Sequence, residues 1–146
     1  MNLLSIDPGA DFGSGLFVGM GKLEWAGFRE LPDDCDVIDL LVIEDQEIRP
    51  PRGKKRVRPQ DIVTLAQCAG RLAGHVHARE EVWVHAMHWM GGNGPPFQLH
   101  ARILGALSPA ERAVLDHTLK GVAKSLQHNV IEGVGIGLWK LQRLPR

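Results

Sequence analysis

An apolar run that ends in a lone carboxylate and a tight turn, Leu3-Leu4-Ser5-Ile6-Asp7-Pro8-Gly9, constrains the fold of this chain more than any other stretch. Leu3, Leu4 and Ile6 read as a short buried strand. It stops at Pro8, because proline cannot donate to a sheet ladder and glycine tolerates the bend that follows. Asp7 is thereby held at the strand's carboxyl end, where a carboxylate costs stability unless a hydrogen bond, a cation or water satisfies it. A turn-capping aspartate would account for it alone. Two further isolated acids in apolar surroundings, Glu44 and Glu132, raise the question of whether the fold brings all three together.

The rest of the chain supplies the frame. Ser14 to Met20 and Leu23 to Phe28 read as two more strands, joined through Gly19-Met20-Gly21-Lys22 into a meander with the first. Val37 to Glu44 is nearly continuous in apolar residues, the pattern of a strand buried on both faces. From Gln60 the period changes: Ile62, Leu65, Ala66, Ala69, Leu72, Ala73 and Val76 recur at helical spacing just after Pro59. Glu81 to Met87 reads as a fifth strand, followed by a loop through Gly91-Gly92-Asn93-Gly94-Pro95-Pro96. A short helix is expected over Phe97 to Leu104, and Ser108-Pro109-Ala110-Glu111 has the form of a capping box with proline at the first helical position. Lys120 to Leu141 is expected to be one more helix, with Leu126, Val130, Val134, Leu138 and Leu141 as its apolar stripe. Its glycines each cost a helix about 1 kcal/mol, and would let its backbone lie close to a sheet. Strands and helices in this order predict a mixed α/β sheet with helices on its faces.

With 146 residues, 44% hydrophobic and 23% charged, the chain fits a single domain spanning 1–146. No apolar stretch approaches the roughly 20 residues that span a bilayer, and the start lacks a basic region followed by a long apolar core. No membrane association is expected, and the expected location is cytoplasmic. Cys35 and Cys68 are widely spaced and lack a CxxC partner, which argues against a disulfide scaffold or zinc ribbon.

Formal charge sums to zero, yet the signs are segregated. Acids crowd the stretch from Asp33 to Glu47, and Arg49, Arg52, Lys54, Lys55, Arg56 and Arg58 fill the next. Prolines and glycines keep that basic run out of helix, so it is a loop, either simply solvated or a phosphate-contacting arm for nucleic acid. Seven histidines include His75-x-His77 and His85-Ala86-Met87-His88. Three-residue spacing along a strand would send His85 and His88 to opposite faces, which disfavours zinc. The four tryptophans read as core or rim packing.

If the fourth strand pairs in parallel beside the first, Asp7 and Glu44 finish at the same edge of the sheet, where ligands of open α/β sheets bind. The terminal helix would then add Glu132. Three carboxylates converging without matched cations repel one another, and a divalent metal relieves that repulsion. All-oxygen ligands favour Mg²⁺ or Mn²⁺, and paired ions of that kind clamp the attacking and leaving oxygens of a phosphodiester. His128, beside the acids, reads as a general acid, a partner of Glu132 or a surface histidine.

In this order and spacing, the motifs resemble those of the RuvC-type Holliday-junction resolvases of the RNase H-like superfamily, in their compact bacteriophage form. Leu4-Ser5-Ile6-Asp7-Pro8-Gly9 resembles the first-strand motif, Leu41-Val42-Ile43-Glu44 the fourth-strand motif, and Pro59-Gln60-Asp61-Ile62 through Gly70 the helix that follows. His128-Asn129-Val130-Ile131-Glu132-Gly133-Val134-Gly135-Ile136-Gly137-Leu138-Trp139 resembles the final catalytic helix. The resemblance implies an RNase H-like fold with a mixed five-stranded sheet, and a homodimer in a bacterial or phage-infected cell. It also implies two-metal Mg²⁺ or Mn²⁺ nicking of branched DNA, four-way junctions above all. Asp7, Glu44 and Glu132 would be metal ligands, joined by Asn129; Arg52, Lys54, Lys55, Arg56 and Arg58 would contact DNA. The chain departs from the family in ending its acid set with glutamate, preceded by Asn129 and His128. That departure keeps open a junction-binding protein with an impaired nuclease site, and an RNA-processing nuclease of the same fold is the other alternative.

Overall fold

Leu3–Asp7 (β1) is the central strand of a five-stranded sheet, seen in a computed structural model that describes residues 1–33, 37–45, 58–90 and 96–144. Gly13–Val18 (β2) and Lys22–Phe28 (β3) follow as an antiparallel meander on one side of β1, and Gly21, with a positive φ of 88°, makes the tight turn between them. Ile38–Asp45 (β4) lies parallel to β1 on its other side, and Ala78–His85 (β5) pairs in parallel with β4. The strand order is thus β3-β2-β1-β4-β5, a mixed sheet with helices on both faces. No helix among the described residues is long and apolar enough to cross a membrane.

Alternation along β1 and β4 divides the core in two. Leu4, Ile6, Leu41 and Ile43 face one side, where Ala69, Leu72 and Ala73 of the helix Pro59–His75 (α1) pack on them. Leu3, Leu40 and Val42 face the other side, into a larger cluster. That side is covered by Gln127–Lys140 (α5), flanked by Ala86–Met90 (α2), Pro96–Ala106 (α3) and Pro109–Lys120 (α4).

The capping box at α4 is present in full: the Ser108 hydroxyl accepts from the Glu111 N–H, and the Ser108 N–H donates to the Glu111 carboxylate. Glu111 does more than cap. It is only 2% exposed, accepts the Leu23 N–H of edge strand β3 at 2.9 Å and pairs with Arg143 at 2.7 Å. The Thr118 hydroxyl donates to the Ala26 carbonyl at 2.8 Å, so α4 satisfies backbone groups that an open sheet edge would present to other chains.

Four expectations are corrected. The fifth strand begins at Ala78 and ends at His85, three residues earlier than its start was read, because β5 is an edge strand whose charged Arg79, Glu80 and Glu81 point into solvent while their backbones pair with β4. Ala86–Met90 is helix, which buries Ala86 and Trp89. The helix expected over 120–141 is broken: Gly121 caps α4, and a 3₁₀ turn at Lys124–Leu126 leads into α5. Nor does α5 have a single apolar stripe, since Ile131 and Ile136 are buried along with Val130, Val134 and Leu138, with α3 on the side away from the sheet.

Candidate active site

Asp7 and Glu44 meet because β1 and β4 are adjacent and parallel, so both end at the same edge of the sheet. The register pairs Ser5 with Val42 and Ile6 with Ile43, which turns Asp7 and Glu44 to the α5 face together with Ser5 and Val42. Glu132 is brought to them by the seating of α5. A Cβ on Gly133 would stand 2.5 Å from the Gly13 carbonyl carbon, and one on Gly13 would run into the Asn129 carbonyl, so two glycines let the helix lie directly on β2. The Ser5 hydroxyl locks this contact by donating to the Gly133 carbonyl at 2.7 Å, one residue beyond Glu132.

The electrostatic consequence falls on Asp7. Its carboxyl is pushed well above the usual carboxylate range, first by burial and then by the negative charges of Glu44 and Glu132. Among the described residues its side chain has no ion-pair partner. Glu44 and Glu132 are held differently. The buried indole N–H of Trp89 donates to Glu44 Oε2 at 2.7 Å, and His100 Nε2 lies 2.9 Å from Glu132 Oε1.

Two glutamates beside a desolvated aspartate are the donor chemistry of a hard divalent cation. Among the described residues no group of three or more His, Cys, Asp or Glu side chains stands at metal-holding spacing. Asp7, Glu44 and Glu132 therefore match Mg²⁺ or Mn²⁺ in chemistry and would have to draw closer to share one.

The other expected site residues lie apart. His128 is exposed, one turn before Glu132 on α5. The Asn129 side-chain amide donates to the Leu126 carbonyl at 3.1 Å. Arg58 is exposed at the N-cap of α1, while Arg52, Lys54, Lys55 and Arg56 lie outside the described residues.

Trp89 and His100 are the residues that sequence reasoning missed. Core or rim packing is expected of Trp89, and a buried indole N–H needs an acceptor, but nothing near it in the sequence names Glu44 as that acceptor. His100 carries no signal of its own, because its partner is 32 residues away. The reading of His85 and His88 is also corrected. β5 ends at His85 and α2 begins at Ala86, so the two rings meet edge-on with centroids 5.5 Å apart, and His85 Nδ1 lies 3.5 Å from the Asp45 carboxylate.

The fold and site together define an α/β protein with a cluster of three carboxylates at the carboxyl edge of a mixed sheet. No protein-family model matches the chain, and no curated protein matches it.

Proposed function

We propose that this chain is a metal-dependent, structure-selective DNA endonuclease with an RNase H-like fold, which resolves four-way junctions by paired nicks as a homodimer. The observation that carries the reading is the convergence of Asp7, Glu44 and Glu132 from β1, β4 and α5 on one sheet edge, with mutual repulsion that loads onto Asp7. Mg²⁺ or Mn²⁺, as two ions per site when bound, supplies charge stabilisation at the attacking and leaving oxygens of a phosphodiester. The chain's part is to present carboxylate oxygens from rigid mounts: two parallel strands and a helix whose backbone rests on the sheet. Dimerisation through α1 agrees with Val63, 47% exposed on that helix. The basic segment around Lys54, Lys55 and Arg56 comes in the chain between the strand that carries Glu44 and α1, a place that suits a phosphate-contacting arm.

Labelled four-way junction, linear duplex and structured RNA, each incubated with Mg²⁺, Mn²⁺, Ca²⁺ or EDTA, test the reading. Paired nicks in the junction with Mg²⁺ or Mn²⁺ are expected, with binding but little cutting in Ca²⁺. Asp7→Asn, Glu44→Gln and Glu132→Gln should each abolish cutting and leave junction binding nearly intact, since phosphate contacts elsewhere position the DNA. Robust cleavage in EDTA, or full activity in all three variants, would end it. One observation favours a second reading, a junction-binding protein with an impaired site: the longer Glu132 and its fellow acids do not stand at metal-holding spacing. That protein would bind junctions in EDTA and cut nothing with either metal.

A further inference from the structure

We propose that Trp89 and His100 are positioning residues that fix Glu44 and Glu132 for metal binding, so that Asp7 alone of the three acids stays adjustable. The inference rests on the metal-dependent reading above. Its observations are the two short contacts and the burial around them.

Trp89 is 1% exposed in α2, the helix that turns off the end of β5, and the burial of its ring leaves the indole N–H a single course: an acceptor inside the protein. That acceptor is Glu44 Oε2 at 2.7 Å, a length typical of a hydrogen bond to a charged oxygen. His100 projects from α3 onto α5, and its Nε2 and Glu132 Oε1 are 2.9 Å apart, with both side chains about four-fifths buried. With the proton on Nε2, the ring donates to the carboxylate.

A glutamate has three rotatable side-chain bonds and one more methylene than an aspartate. An unrestrained Glu132 would sweep a range of oxygen positions, whereas Mg²⁺ requires near-octahedral geometry. A donor at one carboxylate oxygen removes that freedom and orients the other, which is how outer hydrogen-bond partners act on metal ligands. Both donors come from helices that pack against the edge where the acids gather. Asp7 has no such donor among the described residues, so β1 sets where its backbone stands and its side chain is the one of the three left to adjust.

The alternative is that the two contacts merely tie α2 and α3 to the body of the protein. Trp89→Phe keeps the ring and removes the N–H. His100→Leu removes the donor, and His100→Gln restores an N–H at similar reach. Mn²⁺ affinity measured by electron paramagnetic resonance, beside kcat and KM on a four-way junction, separates the two ideas, with circular dichroism confirming folding. Trp89→Phe and His100→Leu are expected to weaken Mn²⁺ affinity by about 10-fold or more and to lower kcat with KM for DNA unchanged; His100→Gln should recover most of both. If Mn²⁺ affinity and kcat stay within about two-fold of wild type in the folded Trp89→Phe and His100→Leu variants, while Asp7→Asn loses both, the positioning role is overturned and the metal reading stands. If the wild type binds no Mn²⁺, the metal reading falls and this inference falls with it.

Discussion

Helix α5 rests on its face of the sheet with Gly133 against the backbone of Gly13, whereas α1 crosses the opposite face on Ala69, Leu72 and Ala73 while Gly70 and Gly74 look into open space. The α5 face gathers the larger cluster, with Phe17, Trp89, Ile103 and Leu115 all essentially inaccessible. The α1 face leaves Val63 and Trp83 nearly half exposed; Trp83 lies on that side because it pairs in register with Ile43. The acids belong to the closely packed face. A cluster of like charges is costly to assemble, and only elements whose positions are fixed by packing hold it in place. The looser face carries no such constraint and is free to take substitution or a partner.

The sharpest way to break the contrast is Gly133→Val. There is no space for a side chain between α5 and β2, so this change is expected to cost more than about 4 kcal/mol, enough to unfold a marginal domain. Urea denaturation would show it, and a near-wild-type midpoint would mean that α5 is less firmly seated than described.

Next in size is Arg143→Met, which strands the 2% exposed Glu111 without its cation and should cost about 3 kcal/mol at neutral pH. Arg143 holds the Glu111 carboxyl far below its ordinary 4.5, helped by the Leu23 and Ser108 donors. A lowered folded-state pKa gives stability that is present above 4.5 and is lost as pH falls further. The gap between wild type and Arg143→Met should therefore narrow below that pH in a series of urea titrations.

Asp7→Asn should act with the opposite sign. The Asp7 carboxyl is raised by burial and by Glu44 and Glu132, so ionising it weakens the fold, and the contribution is favourable below its ordinary 3.8 and lost as pH rises. At neutral pH Asp7→Asn is expected to be the more stable protein even as it loses cleavage, with the difference closing toward pH 3.8. A destabilised Asp7→Asn at pH 7 would show that the three charges are better neutralised than the structure indicates.

The smallest effect probes the α1 face. Gly70→Ala meets nothing within 4 Å and lies inside a helix, so it should stabilise by about 0.5–1 kcal/mol through lower unfolded-state entropy. Together with Gly133→Val, it sets two glycines of the same chain at opposite ends of one scale.

Local chemistry made much of this legible. Pro8 ends β1 one residue after Asp7, the apolar run from Ile38 makes β4 a strand buried on both faces, and Ser108 with Glu111 starts α4, each within a few residues. The glycines of α5 announced a close approach, and the structure supplies its object, the backbone of β2. β5 was misplaced because periodicity finds burial, while an edge strand is held by backbone pairing beneath charged side chains. The break at Gly121 was missed because apolar residues on both sides of it suit one long helix as well as two.

The sequence by itself determined where the acids stand along the chain and which strand end or helix carries each, since those follow from hydrophobic period and from the stops at proline and glycine. Tertiary structure alone decided that Trp89 would serve Glu44, that His100 would serve Glu132, and that Glu111 would find Arg143. Those partners are 45, 32 and 32 residues apart. A hydrogen bond has a reach of about 3 Å, so such pairs exist only once helices and sheet have packed, and nothing in the local pattern of either residue records the other.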